Sequence, residues 1–463
     1  FKTVINLAPS EYLGYFNTGD TYFELKDFEN AKAYFKKALQ IDPKNEQVHA
    51  NLGEVYRNQG DIKKSLNCYN AAIKINPQNP NNYYNIAILS NDAGLTDKAE
   101  ENYKKAISID PKHIGSHYNL ALLYEIRGLL KEALIVVNKG LQYDISHPEL
   151  NYANGMMSLK SGNFKKGWKN YEYRWKVSPH NEVIWPFPDK PLWQGERRKR
   201  VALWREQGIG DEIIFLSLIP EIKEICTTLS VYVDPRLQSL CRRIMPDINF
   251  VKDIESLKRV ECEYHLPLQS LGGLIRNDIS DFDRTVKGYL KADPQRVESI
   301  RNELNLEGKT AIGISWKSFD TKYQTKSVQL IDMEPIFSGL DVVLVNLQYG
   351  DVKDEIREFK EATGIDVIQC ASVDNREDLD GLAALIEVCD LVVSTSNVTV
   401  HLAGALAKKT WVLLNFVSIY YWLSDRPDSI WYPSVSLYRQ PTLNDWDSVF
   451  ASIRADMKRE LSN

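Results

Sequence analysis

The chain has 463 residues, which at ordinary domain sizes allows about two to four domains, and its 43% hydrophobic and 26% charged residues exclude collagen-like and disordered classes. With 57 Lys+Arg against 62 Asp+Glu the net charge is −5, so nucleic-acid binding by bulk electrostatics is excluded and any anion site must be local. Six cysteines show no CxxC spacing and no adjacent His cluster, which argues against structural zinc and a disulfide framework; no apolar run spans a bilayer, and the expectation is a cytoplasmic protein.

The chain opens with Phe1 rather than Met and shows no charged-then-apolar leader, as expected of a fragment that has lost an N-terminal piece. A 34-residue period then runs to about residue 180. Gly60, Gly94, Gly128 and Gly162 share it, as do Ala31, Ser65, Ala99, Ala133 and Gly167, and Pro43, Pro77 and Pro111. Apolar residues between these marks fall at helical spacing, as in Ala31, Tyr34, Phe35, Ala38 and Leu39. Two antiparallel helices per repeat follow, with Gly in the turn and Pro where one repeat ends. The pattern of small and aromatic positions matches the tetratricopeptide repeat (TPR), with about five repeats over residues 12 to 181.

From Phe164 five tryptophans (Trp168, Trp175, Trp185, Trp193, Trp204) crowd together with four prolines, a composition too aromatic for a free linker, so a packed junction is expected. Beyond it, strand-length apolar runs alternate with helical patterns in two series, one from Val201 to Ile244 and one from Thr310 to Leu414. Such alternation means βαβ units and parallel sheets, here two Rossmann-like domains facing a cleft.

Ligands of open α/β sheets bind outside the carboxyl ends of strands, and four turns occupy that position. Glu206-Gln207-Gly208-Ile209-Gly210-Asp211-Glu212 carries two glycines, with Asp211 where a helix begins, either as a functional group or as a cap. It is neither GxGxxG nor a Walker loop. Lys317, Lys322 and Lys326 follow a strand and offer charge to a diphosphate, or form a solvated loop. Gln348-Tyr349-Gly350-Asp351 suits a ribose or sugar hydroxyl, or a helix cap. Ser394 to His401 puts hydroxyl and amide side chains at a helix N-terminus, where free N–H groups and the helix dipole favour an anion. There His401 is placed to donate to a phosphate, or to make a structural hydrogen bond. No HExxH, GxSxG or clustered His and carboxylate triad is present.

The stretches "EQGIGDEIIF", "VDPRLQSL", "LPLQSLGGLIR", "GISWKS", "NLQYGD", "DLDGLAALIEVCDLVVSTSNVTVHLAGALAKKTWVLLN" and "WYPSVSLYRQ" resemble, in order, bacterial TPR proteins with a C-terminal glycosyltransferase region of heptosyltransferase (family 9) type. The resemblance covers about residues 165 to 440. It implies a GT-B fold and metal-independent, inverting transfer from a nucleotide-sugar, with no cofactor. It implies Asp211, in the Gly210-Asp211 motif, as the base acting on the acceptor. It further implies Lys326 at the donor diphosphate and Ser396 to His401 at the diphosphate and ribose. Gly210, Lys317, Lys326, Gln348, Tyr349, Ser396, Asn397, Thr399 and His401 are thus the candidate donor-site residues. Where related sequences often read Asp-Thr-Ser or Asp-Asn-Thr, this chain has Ser396-Asn397-Val398, without the acid.

Asn17, Asn51, Asn85 and Asn119 also lie 34 apart, on the first helix of successive repeats. Stacking would align these amides along a concave surface able to hold an extended backbone. The TPR-linked O-GlcNAc transferase uses such a ladder, so a polypeptide acceptor or partner is expected there. The organisation is then a TPR array over 1–165, an acceptor-side domain with the junction over 166–295, and a nucleotide-sugar domain over 296–463. The rival class is a TPR interaction scaffold whose transferase domain is catalytically inactive.

Overall fold

The computed structural model describes residues 5, 8–284, 287–306, 308–318 and 326–462. The chain divides into two compact units, 1–154 and 155–463, the boundary falling within the helix Pro148–Lys160 rather than near residue 165.

The first unit is built of helix pairs. First helices are Tyr12–Glu24, Glu46–Asn58, Pro80–Asp92 and Ile114–Ile126; second helices are Phe28–Ile41, Ile62–Ile75, Thr96–Ile109 and Leu130–Tyr143. Each starts 34 residues after its predecessor of the same kind. Caps recur as well: Asp27, Asn45 and Asp61 each accept from the backbone N–H three residues on, satisfying a donor the helix leaves open. The turn glycines Gly60, Gly94 and Gly128 have φ of 76°, 72° and 74°, a left-handed conformation that a Cβ would penalise. Close approach within a pair depends on a notch and its filler. A Cβ on Gly19 would lie 2.8 Å from the Phe35 ring, and one on Gly53 would lie 2.7 Å from the Tyr69 ring. Ala87 faces the same register relative to Tyr103, and all three fillers are buried.

The second unit holds two parallel sheets. Strands β1 (Arg200–Trp204), β2 (Thr228–Tyr232), β3 (Asn249–Phe250) and β4 (Tyr264–Pro267) are ordered β3-β2-β1-β4. Strands β5 (Thr310–Ser315), β6 (Val342–Asn346), β7 (Val367–Ile368), β8 (Leu391–Thr395), β9 (Thr410–Leu414) and β10 (Val435–Arg439) are ordered β10-β9-β8-β5-β6-β7. Every pairing is parallel. Strands β8 and β9 are buried along their whole length, as expected where helices cover both faces.

Several elements differ from the sequence expectation. The helical pattern between β1 and β2 is broken into two helices, Ile209–Leu216 and Ile219–Lys223, because Pro220 cannot continue an i→i−4 ladder. The polar stretch before Asn305 contains the helix Pro294–Leu304, capped by Asp293 and ended by Asn305 at φ 42°. The C-terminal helix Trp446–Leu461 buries Val449, Phe450, Ile453 and Met457 against the core that includes Ile312, Leu344 and Leu413.

Candidate active site

Each sheet has one topological switch point. In the first sheet the chain leaves β1 for β2 and β3 on one side and returns to β4 on the other. In the second it leaves β5 for β6 and β7 and returns to β8 on the other side. The crevice at such a point, outside the carboxyl ends of the strands, is where open α/β sheets take ligands. Strand β1 leads into Glu206 to Asp211, β5 leads towards Lys317 and Lys326, and β8 leads into Ser396 to His401.

Asp211 is the third residue of the helix Ile209–Leu216, whose N-cap is Gly208 with no side-chain cap. The backbone N–H groups of Asp211 and Gly208 at this helix start favour its charged form. Burial pushes its pKa up to about 6, opposed by the attraction of the Lys326 ammonium. Lys326 is itself buried and acts on His401 too. Burial first, and then that ammonium, take the His401 pKa down to about 3, so the ring is neutral. His401 stacks on Trp422 with ring centroids 5.4 Å apart and 10° between planes, meets Tyr421 edge-on, and bonds through Nδ1 to the Tyr432 hydroxyl at 3.1 Å. A Cβ on Gly210 would lie 2.8 Å from His401 Cδ2 and 3.4 Å from Nε2. The structure therefore brings Gly210, Asp211, Lys326 and His401 to one place.

The remaining candidates are bonded to backbone and side chains at the strand ends. Gln348 Oε1 accepts from Ser315 Oγ at 3.0 Å and from the amides of Trp316 and Lys317 at 2.9 Å, while its Nε2 donates to the Tyr349 carbonyl. Asn397 caps its helix by accepting from Thr399 N and donates to Ser315 Oγ at 2.7 Å and to the Lys317 carbonyl. The Thr399 hydroxyl donates to Leu347 O, and Ser396 Oγ accepts from Trp422 Nε1 at 2.8 Å. The Lys317 ammonium pairs with Glu355. These side chains join β5, β6 and β8 at their carboxyl ends, and Tyr349 is half-buried beside them. Lys322 lies outside the described residues.

Sequence reading missed a second charged group. Arg174, fully buried, lies 4.4 Å from the ring centroids of Tyr171 and Trp175 and bonds Glu206 at 2.9 Å, Glu172 at 2.8 Å and Ser270 Oγ at 2.8 Å. Burial pushes Glu206 up to about 7 against the pull of Arg174. This cluster joins the turns after β1 and β4, and the basic residue between aromatics at Tyr171 to Trp175 is the signal that would have found it. Among the described residues no group of three or more His, Cys, Asp or Glu is placed to hold a metal.

In the first unit, Asn17, Asn51, Asn85 and Asn119 are each the sixth residue of a first helix and half-buried. Asn51 Nδ2 donates to Asp20 Oδ1 at 3.2 Å and Asn119 Nδ2 to the Tyr84 hydroxyl at 3.1 Å. The helix Pro148–Lys160 carries Ala153 at that place.

Tetratricopeptide repeat models match residues 22–87, 80–113 and 102–135, so this part of the chain carries TPR repeats. Among curated proteins, Protein FlbA of Caulobacter vibrioides is 28% identical over 334 residues, covering 67% of this chain and 55% of that protein. The chain thus spans about half the length of that relative. Tetratricopeptide repeat protein 6 of Homo sapiens is 46% identical over 46 residues, 10% of this chain and 9% of that protein. Among solved structures, the MamA protein is 20% identical, covering 36% of this chain and 95% of its own, with a TM-score of 0.31. Pseudomonas aeruginosa pilF is 17% identical, covering 51% and 92%, with a TM-score of 0.36. No helix among the described residues is long and apolar enough to cross a membrane.

Proposed function

We propose that the second unit is a glycosyltransferase of GT-B type that moves a sugar from a nucleotide-sugar to an acceptor, with no metal required. The acceptor is a polypeptide engaged with help from the TPR asparagines. The observation that carries this reading is the close approach of the Gly210-Asp211 turn to His401, where a Cβ on Gly210 would lie 2.8 Å from the imidazole, with the Lys326 ammonium acting on both Asp211 and His401. Asp211 and Lys326 come from switch-point turns of different sheets, so a base and a cation meet where two parallel sheets offer their carboxyl ends.

The chemistry follows from those roles. An acceptor hydroxyl attacks the anomeric carbon, and its proton passes to the Asp211 carboxylate. The bond from that carbon to the diphosphate oxygen breaks with its electron pair, and the charge on the leaving diphosphate falls near the Lys326 ammonium. With a pKa near 6, Asp211 is mostly ionised at neutral pH yet accepts a proton more readily than an ordinary aspartate. The test is release of nucleoside diphosphate from UDP-, GDP-, ADP- and dTDP-sugars in the presence of a candidate polypeptide, with Asp211→Asn as control. Release that Asp211→Asn leaves unchanged would contradict the assignment.

A second reading, a TPR scaffold with an inactive transferase-like unit, is favoured by one observation. At position 396 the acid of related sequences is replaced by a serine whose hydroxyl is already bonded by Trp422.

A further inference from the structure

Beside the site the chain takes an unfavourable backbone conformation. Leu423, which ends the short 3-10 helix Tyr420–Trp422, has φ 49° and ψ 176°. Asn305, at φ 42° and ψ 62°, rests in the left-handed well that ends many helices, whereas the extended ψ of Leu423 takes it out of that well into a region that is essentially glycine's. Leu423 is also buried and apolar, with no side-chain oxygen to bond its own backbone. A residue stays in such a conformation only where its surroundings hold it there.

The holder is Arg439, the last residue of β10. Its guanidinium donates through Nη2 to the carbonyls of Leu423 at 2.7 Å and Trp422 at 3.3 Å, and through Nη1 to Ser418 Oγ. The two carbonyls belong to the rigid peptide planes on either side of the Leu423 Cα, so fixing both fixes its φ and ψ. All three acceptors are neutral and lie on one loop. Burial takes the Arg439 pKa down to about 10 against the attraction of Asp425, which leaves it charged at neutral pH and its hydrogen bonds charge-assisted. A lysine would bring the charge without the planar fork.

The segment held in this way carries the aromatic wall of the site. Trp422 donates from Nε1 to Ser396 Oγ at 2.8 Å and stacks on His401, while Tyr421 meets the same imidazole edge-on with centroids 5.1 Å apart. Relaxing Leu423 to an ordinary conformation turns the peptide plane that it shares with Trp422, and draws the indole away from Ser396 and His401.

We propose that Arg439 is a positioning residue of the candidate active site: by fixing both peptide planes of Leu423 it seats the Trp422 indole on Ser396 and His401, and so shapes the wall against which the donor binds. Its action on the donor rests on the glycosyltransferase reading, while the seating of Trp422 does not.

The experiment is NMR of the indole N–H groups of the full chain, with the Trp422 signal identified by its loss in Trp422→Phe. In Arg439→Met that signal should move and its proton should exchange with solvent about tenfold faster, the effect of losing a charge-assisted hydrogen bond on a local opening. The Trp193 indole, bonded to the Glu196 carbonyl in the first sheet's domain, should stay in place. Arg439→Lys should show the same displacement to a smaller degree, and carries the test should the methionine variant not fold. Leu423→Gly removes the backbone strain, so in that background Arg439→Met should displace the signal less. An unmoved Trp422 signal in either Arg439 variant, with Trp193 unchanged, would overturn the proposal, as would a displacement that Leu423→Gly leaves undiminished. Affinity for whichever of UDP-, GDP- and dTDP-glucose the wild type binds should fall by a comparable factor in Arg439→Met and recover in part in Arg439→Lys. Unchanged affinity in a variant whose Trp422 signal has moved would overturn the action on the donor. If the wild type binds none of them, that action falls with the glycosyltransferase reading, and the indole signals still decide the seating.

Discussion

Gly210 and His401 are fitted to each other: a Cβ at position 210 would stand 2.8 Å from His401 Cδ2. The imidazole is wedged by Trp422, Tyr421 and Tyr432 and has little room to yield. Gly210→Ala should therefore cost about 1–3 kcal/mol, the usual penalty for overpacking. Urea denaturation measures it; stability within about 0.3 kcal/mol of wild type would mean that the ring moves aside freely.

Asp211 gives a pH dependence of definite sign. Burial makes the folded chain hold this proton up to about pH 6, whereas the unfolded chain releases it near pH 4. The associated stability is full below about pH 4, is lost between about 4 and 6, and is absent above. Asp211→Asn should therefore gain roughly 2–3 kcal/mol on wild type at pH 8 and little at pH 4. Turnover should move the other way, falling about 10²- to 10⁴-fold at pH 8 if Asp211 is the base.

Lys326 holds the Asp211 carboxyl down against burial. In Lys326→Met the midpoint of the activity profile on its acid side should move above pH 6, with weaker donor binding. A midpoint that stays in place would show that the ammonium does not act on Asp211.

Arg174 sits buried between two carboxylates, and removing it takes the counter-charge from Glu206, whose buried carboxyl must then take up a proton. Arg174→Met should cost about 3–5 kcal/mol, and adding Glu206→Gln should recover part of it. Additive losses in that pair would argue against direct coupling.

The first unit was legible because its rules are local. Turn glycines need only a left-handed φ and recur every 34 residues, so Gly60 could be read from spacing alone, whereas the Gly53–Tyr69 fit is visible only in the structure. In the second unit the strands with continuous apolar runs, such as β9, were found where the structure has them. The two-residue β3 and the alternating β10, with Ser436 exposed, carry too little signal for that. Site residues at strand ends were visible as turns. Which of them point inward was not, because Gln348 and Asn397 look like ligands in sequence and are consumed by bonds to neighbouring strands. Arg174 and Tyr432 act through partners about 30 to about 100 residues away, beyond any local pattern.

The central claim is that the second unit holds a nucleotide-sugar through Lys326. A thermal-shift panel of UDP, GDP, ADP, CMP and dTDP with their sugar conjugates, on wild type and Lys326→Ala, tests it most directly. Ligand binding only the folded chain stabilises it by about 2.7 kcal/mol at a hundredfold excess over Kd. The account predicts stabilisation by one nucleotide family, lost in the variant. Cooperative melting that no nucleotide shifts would contradict it and favour the scaffold.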